Sequence, residues 1–255
     1  MNTKINLVIF LLSLCLTGCA APLTSKDGKK LPINLSEYKA HKDRPAATVL
    51  ISHGSDGVQR HHHEWARLVQ SWGYNAVIVD HYSLRGISMH VGVVLPNMRG
   101  EHRARDLVES AKWIKEQSWH RGKISVIGFS QGGSGVMALV NSKDWGFHKI
   151  LVKDEAMPIS SAVAFYPGCS ISFPPLTPSM PVQVHLAGED TLAFTGYCEP
   201  LTDKNYVVHR YQNATHAFDV YLGSFKPSFH HRYDANITAK ATKHTKDFLD
   251  KNLKD

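Results

Sequence analysis

The sequence of 255 residues has only four cysteines, and it shows no internal repeat, no low-complexity segment and no second linker. It also lacks a basic run and any interleaving of basic with aromatic residues, although its formal net charge is +7. Nucleic-acid binding requires clustered positive charge, so these absences argue against a nucleic-acid partner. A length that suits one domain with a sizeable core, without repeats, predicts a single folded domain.

The N-terminus has the pattern of an export signal. Lys4 precedes an apolar run through Leu16, which is too short and wrongly flanked for a stable membrane span. Its end, Leu16-Thr17-Gly18-Cys19, resembles the bacterial lipoprotein cleavage motif, in which the cysteine becomes lipidated. An ordinary signal peptide is the alternative.

We therefore expect three segments. Residues 1–18 form a lipoprotein signal peptide, residues 19–45 a lipid-anchor tether and the start of the domain, and residues 46–255 the domain itself. Ala20, following the lipidated Cys19, favours the outer membrane over the inner one. The expected location is the bacterial cell envelope, on the periplasmic side, where anionic surfaces suit a basic protein.

Two cysteines, Cys169 and Cys198, remain once Cys15 leaves with the signal peptide and Cys19 is assigned to the lipid. Cysteine pairs in exported proteins tend to form disulfides, because the compartment is oxidising. Two free buried thiols remain the alternative from the sequence alone.

Short apolar segments alternate with amphipathic ones from residue 46 onward, which predicts a mostly parallel sheet with helices on both faces. The predicted strands are 46–52, 74–80, 123–129, 162–168, 181–188 and 206–212. The predicted helices are 64–72, 101–117, one starting after residue 130, a short one at 196–203, and 235–253. In such α/β folds the functional site lies at the carboxyl ends of the strands.

The stretch GFSQGG at 128–133 places Ser130 between Gly128 and Gly132, directly after a predicted strand. A serine at a sharp strand-to-helix turn adopts a strained backbone, and bulky residues two positions away would clash. Ser130 is therefore the candidate nucleophile. The backbone N–H of Gln131, at the start of the following helix, is a candidate oxyanion donor.

A serine nucleophile needs a histidine base and a carboxylate that orients it. His216 follows a late predicted strand and is the candidate base. Asp190, at the end of HLAGED, is the candidate acid. The weaker acid candidates are Glu189, which is adjacent, Asp203, in a predicted helix, Asp219, which follows the histidine, and Asp80, the runner-up, which precedes the serine.

The second oxyanion donor is expected from the loop HGSDG after the first predicted strand, where glycines permit a close backbone approach. The N–H of Ser55 is the first choice and that of Asp56 the second, and a plain turn is the alternative.

The quoted stretches together resemble the dienelactone hydrolase branch of the α/β-hydrolases. The resemblance covers most of residues 46–253 and rests on VLISHGSDG, YNAVIVDHYSLRG, IGFSQGG, AVAFYPGC, HLAGED and, most specifically, NATHAFD. It implies an α/β-hydrolase fold with little or no lid and a Ser130–Asp190–His216 triad. The chemistry of such a triad needs no metal or organic cofactor. Exported relatives place cysteines similarly, which favours a Cys169–Cys198 bridge.

The chain departs from the family pattern at two positions. The namesake enzymes use a cysteine nucleophile where this chain has Ser130, which argues against assuming a dienelactone substrate. The family also often spaces its acid one residue further from the glycine than Gly188 and Asp190 are spaced here.

Several charged residues have two interpretations. Arg85 can bind a substrate carboxylate or, as we favour, pin its own loop through backbone carbonyls. Consecutive residues 61–63, all histidine, do not converge on one metal, so we expect a solvated helix start rather than a metal site. Arg103 and Asp106 are expected to form a local surface pair of small value.

These observations predict a lipid-anchored serine hydrolase that cleaves a small carboxylic ester. Alternatives with the same acyl-transfer groups are a peptidase, a thioesterase or a deacetylase acting on envelope molecules. A non-catalytic binding lipoprotein on the same fold is the alternative from another class. The sequence does not give the oligomeric state or the acyl group.

Overall fold

The computed structural model describes residues 22–25, 28–87, 100–141, 157–169, 178–193, 198, 204–221 and 231–254. In chain order the strands are β1 (Leu23–Thr24), β2 (Lys30–Leu31), β3 (Asn34–Tyr38), β4 (Ala46–Ser52), β5 (Asn75–Asp80), β6 (His120–Phe129), β7 (Ser161–Phe165), β8 (Val182–Ala187) and β9 (Tyr206–Tyr211). The helices are α1 (Arg60–Ser71), α2 (Gly100–Ile114), α3 (Gln131–Val140) and α4 (Ala235–Leu253), and a 3-10 turn spans Ser83–Arg85.

Strands β3 to β9 form one seven-stranded sheet in the order β3-β5-β4-β6-β7-β8-β9. Strand β3 pairs antiparallel with β5, and every other neighbouring pair in this sheet is parallel. The chain enters the sheet at the edge strand β3, continues to β4 in the middle, fills the place between them with β5, and then crosses to β6 on the other side of β4. Strands β4 and β6, which are neighbours, therefore bring their carboxyl ends together near the centre of the sheet, where α/β folds bind ligands.

Alternate residues of β4 show how both faces of the sheet are covered. Leu50 is fully buried in a core that includes Leu107 of α2 and Val136 of α3. Val49 and Ile51 point to the opposite face and lie in a second core. That core is supplied by α1 and α4, through residues such as Trp65, Val69, Phe248 and Leu249. Two-sided burial explains why the strand reads as a continuous apolar run rather than an alternating one.

The predicted mostly parallel sheet with helices on both faces is confirmed. Strand β4 and helix α4 have the predicted bounds, while α1 begins earlier than predicted and α2 ends earlier. Strand β3 and the small β1–β2 hairpin were not predicted from the sequence. Because β3 belongs to the central sheet, that sheet begins before Ala46. The predicted helix at 196–203 lies outside the described residues except for Cys198.

The predicted signal peptide, residues 1–18, and the predicted lipidation site Cys19 also lie outside the described residues. Among the helices that the structure describes, none combines the length and the apolar character needed to cross a bilayer.

Candidate active site

Ser130 occupies a sharp turn between β6 and α3. Its φ of 52° and ψ of −117° lie in a region that non-glycine residues seldom adopt, and its N–H donates to the carbonyl of Phe165 at 3.0 Å. A Cβ on Gly132 would collide with the backbone carbonyls of Ser52 and His53, and one on Gly128 would collide with Gly132. The glycines on either side of the serine are therefore required by close backbone packing, as the motif predicted.

Ser130, His216 and Asp190 form one continuous hydrogen-bonded chain. His216 Nε2 lies 2.8 Å from Ser130 Oγ, and His216 Nδ1 lies 2.7 Å from Asp190 Oδ2. The serine follows β6, the aspartate follows β8, and the histidine follows β9. Each side chain thus extends from the carboxyl end of a parallel strand, and the three predicted residues meet above one edge of the sheet.

Asp190 is held as a carboxylate by several donors. Its side chain is fully buried, and its Oδ1 accepts the N–H groups of Leu192 and Ala193 at 2.8 and 3.0 Å. Burial acts to raise the pKa of Asp190, but the hydrogen bond and charge of His216 and the two backbone donors outweigh it, so the pKa lies below its ordinary value. An ionised Asp190 can orient and stabilise the imidazolium of His216.

The competing acids have other partners. Glu189 pairs with Arg232 at 3.1 Å on the surface. Asp80 accepts the N–H groups of Tyr82 and Ser83 in the turn after β5. Asp203 lies outside the described residues.

The fourth alternative acid, Asp219, contacts a residue that packs against His216. It accepts the hydroxyl of Tyr166 at 2.7 Å and the indole N–H of Trp65 at 2.9 Å. The Tyr166 ring in turn packs edge-on against the His216 ring, with 4.8 Å between centroids. Tyr166 has a φ of 35°, so its backbone is also strained. From the sequence, Asp219 was only a weaker candidate for the catalytic acid, and Tyr166 was assigned no role in the site.

The predicted oxyanion donors belong to two adjacent segments. Ser55 lies in the turn after β4, and Gln131 is the first residue of α3. Gly54, next to Ser55, packs close to the nucleophile, since a Cβ there would lie 3.5 Å from Ser130 Cβ. The loop and the helix start therefore border the same space beside Ser130.

Arg103 is not the surface residue that the sequence predicted. It is completely buried, and its guanidinium donates to His53 O, Gly54 O, Tyr82 Oη and Gln131 Oε1. The expected pair with Asp106 is therefore wrong. A signal was present in the sequence, since position 103 lies one helical turn before Leu107, on the apolar face of α2.

Asp106 instead pairs with Arg85 and His81. Arg85 donates to both carboxylate oxygens, at 2.8 and 2.9 Å, and also to the carbonyl of His81 at 2.7 Å. His81 Nδ1 lies 2.7 Å from Asp106 Oδ2. Burial acts to raise the pKa of Asp106, and His81 and Arg85 together lower it below its ordinary value. This geometry supports the loop-pinning interpretation of Arg85 over substrate binding.

The three consecutive histidines do not form a solvated helix start, so that expectation is wrong. His62 is fully buried and His61 nearly so, with both rings packed edge-on to Phe129. His63 Nδ1 lies 2.6 Å from Tyr38 Oη. Burial lowers the pKa of His61 and His62, which keeps these rings neutral. Within the described ranges, no group of three or more histidine, cysteine, aspartate or glutamate side chains is arranged to hold a metal ion.

The predicted disulfide between Cys169 and Cys198 is confirmed. It joins the turn after β7 to the segment that follows the Asp190 loop. Cys198 is fully buried. The bridge therefore links the chain after β7 covalently to the chain after the neighbouring strand β8.

Comparison with known proteins agrees with this geometry. A family model described as the dienelactone hydrolase family matches residues 35–253. No curated protein matches the chain. Among solved structures, a dienelactone hydrolase-like promiscuous phosphotriesterase from metagenomic libraries is 17% identical, with a TM-score of 0.66 over 87% of this chain and 99% of its own.

Two further solved structures share the fold at similar identity. An esterase from Pyrococcus furiosus is 16% identical, with a TM-score of 0.62 over 91% of each chain. A dienelactone hydrolase from Anabaena variabilis is 13% identical, with a TM-score of 0.61 over 92% of this chain and 97% of its own. The family match, which spans almost the whole described domain, agrees with the nucleophile turn and with the sheet order. The chain therefore belongs to the dienelactone hydrolase family, has the α/β-hydrolase fold, and is a serine hydrolase.

Proposed function

We propose that this enzyme hydrolyses a small carboxylic ester through an acyl-enzyme formed on Ser130. The observation that carries the proposal is the unbroken hydrogen-bonded chain from Ser130 Oγ through His216 to Asp190. A serine hydroxyl becomes a strong nucleophile when an oriented imidazole can take its proton.

The reaction proceeds in two halves. Ser130 Oγ attacks the ester carbonyl carbon while its proton moves to His216 Nε2. The N–H groups of Gln131 and Ser55 stabilise the oxyanion that forms. The carbon–oxygen bond to the leaving group then breaks, and the proton on His216 passes to the departing alcohol. Water then attacks the acyl carbon while one of its protons moves to His216 Nε2. The bond from the acyl carbon to Ser130 Oγ breaks, and His216 returns the proton to Oγ, which releases the acid and restores Ser130.

Asp190 serves this cycle by holding the imidazole in one orientation. Its contact with His216 Nδ1 places the Nδ1 proton towards the carboxylate and leaves Nε2 facing Ser130. Its negative charge also stabilises the imidazolium that exists between the two proton transfers.

The test is labelling and turnover of the folded domain. Fluorophosphonate should label the wild-type protein, and Ser130→Ala should abolish labelling and lower the turnover of p-nitrophenyl acetate by about 10⁴-fold or more. Ser71→Ala, which removes an exposed hydroxyl on α1, is the matched control and should keep full activity. Absence of labelling in a folded wild-type protein would favour the non-catalytic binding lipoprotein.

The leaving group separates the remaining alternatives. Matched acetyl esters, thioesters and anilides should show the highest kcat/KM for the ester. A preference for the anilide or the thioester would instead favour a peptidase, a deacetylase or a thioesterase.

We also propose that Cys19 carries a lipid and anchors the enzyme to the bacterial cell envelope, with Ala20 directing it to the outer membrane. The support is the Leu16–Cys19 sequence. Growth with an alkyne fatty acid should label the wild-type chain and not Cys19→Ser, and labelling of both would contradict the proposal. Membrane fractionation would locate the protein.

A further inference from the structure

The guanidinium of Arg103 lies next to the two segments that border the space assigned to the oxyanion. Arg103 projects from α2 and is the largest completely buried side chain among the described residues. Its Nη1 donates to His53 O at 2.7 Å. Its Nη2 donates to Gly54 O at 3.2 Å, and to Tyr82 Oη and Gln131 Oε1 at 2.8 Å each. One side chain thus contacts both segments that carry the proposed oxyanion donors.

The contact with Gly54 O has a direct consequence for Ser55. The Gly54 carbonyl and the Ser55 N–H belong to one peptide group, which is planar and trans, so they point in opposite directions. Arg103 holds this carbonyl together with His53, whose Nδ1 lies 2.6 Å from the same oxygen, and the N–H is therefore aimed away from Arg103. Hydrogen bonding at the carbonyl also polarises the peptide group and strengthens its N–H as a donor.

The contact with Gln131 acts on the other donor. The Gln131 side-chain oxygen accepts from Arg103 and also from the hydroxyl of Tyr82, at 2.7 Å. Tyr82 stacks under the guanidinium, with 5.0 Å from Arg103 Cζ to the ring centroid, and packs edge-on against His53. Arg103 and Tyr82 together fix the first residue of α3, whose backbone N–H is the proposed donor.

The acceptors around Arg103 are two carbonyls, a phenol and an amide, and all four are neutral. The nearby carboxylate of Asp106 is occupied by Arg85 and His81. Arginine remains protonated even when buried. Its charge lies on the carbonyl side of the Gly54–Ser55 peptide and therefore favours negative charge on the N–H side of that peptide.

The fold makes room for this side chain. A Cβ on Gly135 of α3 would lie 2.8 Å from Arg103 Cβ, so the two helices can approach here only because residue 135 is glycine. Gly135 therefore permits the close approach of α2 and α3 at the point where the Arg103 side chain leaves its helix.

We propose that Arg103 is a positioning residue of the hydrolysis reaction, which polarises the Ser55 N–H through the Gly54 carbonyl and fixes Gln131, whose N–H is the second oxyanion donor. This inference rests on the proposed function. It assigns to Arg103 stabilisation of the transition state and no contact with the substrate.

The test compares Arg103→Met and Arg103→Lys with Arg105→Met, an exposed control on the same helix. We expect Arg103→Met to lower kcat for p-nitrophenyl acetate by about 10²- to 10³-fold, the usual effect of losing an oxyanion donor, with KM changed less than about threefold. Arg103→Lys should fall in between, since an ammonium keeps the charge but not the planar fork. Arg105→Met should match the wild type.

A second readout separates positioning from general loosening of the fold. A trifluoromethyl ketone forms an anionic tetrahedral adduct with the serine, so its inhibition constant should weaken by the same factor as kcat, as expected for a transition-state analogue. Rates are normalised to active sites titrated with fluorophosphonate. A folded Arg103→Met with kcat within twofold of the wild type would overturn the inference, as would a fall in kcat with unchanged ketone inhibition.

Tyr82→Phe decides the question if both Arg103 variants are unfolded. It removes the hydroxyl between Arg103 and Gln131 while leaving the arginine in place, and kcat should fall about 3- to 10-fold, as for loss of one hydrogen bond. Unchanged kcat would overturn the inference. The proposed function is judged separately, because full turnover in Ser130→Ala would overturn both, whereas an inactive Ser130→Ala beside a fully active Arg103→Met overturns only the role of Arg103.

Discussion

The two halves of the active site are assembled in different ways. In the triad half, made of Ser130, Asp190 and His216, the side chains are hydrogen-bonded directly to one another, at 2.7 and 2.8 Å. In the oxyanion half, made of residues 53–56 and Gln131, the proposed donors are backbone groups. These are held from behind by Arg103 and Tyr82, with the His81–Asp106–Arg85 cluster alongside.

This difference teaches that the two halves should fail in different ways. Replacing a triad side chain by one of similar shape deletes a chemical step and leaves most of the buried contacts in place. Removing a support of the oxyanion half leaves buried polar groups without partners, and such groups destabilise the fold.

The sharpest test of the triad half is Asp190→Asn. The amide keeps the shape but can present a donor to His216 Nδ1, which disfavours the imidazole orientation that catalysis needs. We expect kcat to fall by about 10³- to 10⁴-fold, as for the corresponding change in other triads. Urea denaturation should show a much smaller change in stability. A variant with a tenth or more of the wild-type kcat would show that the acid lies elsewhere.

The oxyanion half should show the reverse balance in Asp106→Asn. Arg85 and buried His81 lose their carboxylate, so the free energy of unfolding should fall by about 3 kcal/mol or more, as when one partner of a buried ion pair is removed. The urea midpoint should decrease with an unchanged slope. Asp247→Asn, which breaks an exposed pair with Lys243, is the control and should cost about 0.5 kcal/mol or less. Equal stability of the two variants would contradict this comparison.

Lowering the pH tests the same comparison between the two halves, and its expected effect on stability is the smallest of the three. Burial, only partly offset by Asp106, lowers the pKa of His81 to about 4, against about 6.5 in the unfolded chain. The unfolded state therefore binds the proton first, so stability that is present above pH 6.5 declines as the pH falls towards 4.

Between pH 7 and pH 5, His81 alone should account for about 2 kcal/mol of this decline. His81→Gln should flatten the dependence of Tm on pH over that range, whatever its Tm at pH 7. An equally steep profile in the variant would show that His81 is not the titrating group. The pKa of Asp190 is lowered, so its contribution to stability is lost only as the pH falls below about 3.8 and adds nothing to the decline between pH 7 and pH 5.

The parts of the fold and site that sequence analysis predicted are those with local signals. Alternation of apolar segments gave the parallel sheet, and helix α4 was predicted with its observed bounds. Gly128 and Gly132 marked the nucleophile turn because their spacing reflects a local steric requirement. Ser130, His216 and Asp190 each follow a strand, so chain order and strand ends sufficed to place them together.

The missed features depend on contacts distant in sequence. Strand β3 is a half-buried edge strand that exists through its antiparallel pairing with β5. The sequence alone suggests that His61 and His62 are solvated, but α1 packs them against Phe129. Arg103 looks like a surface residue because two of its four acceptors are backbone carbonyls, which carry no sequence signal, and the other two are distant in sequence.

The stability of this protein should depend on whether the disulfide formed when the chain was produced. Cys169 and Cys198 are 29 residues apart, and the bridge encloses β8 and the Asp190 loop. Closing a loop of that length removes enough freedom from the unfolded chain to contribute about 3–4 kcal/mol in the entropic account. Enzyme produced where thiols stay reduced should therefore be less stable than oxidised enzyme of the same sequence and should lose activity sooner. Oxidative refolding should be part of its preparation.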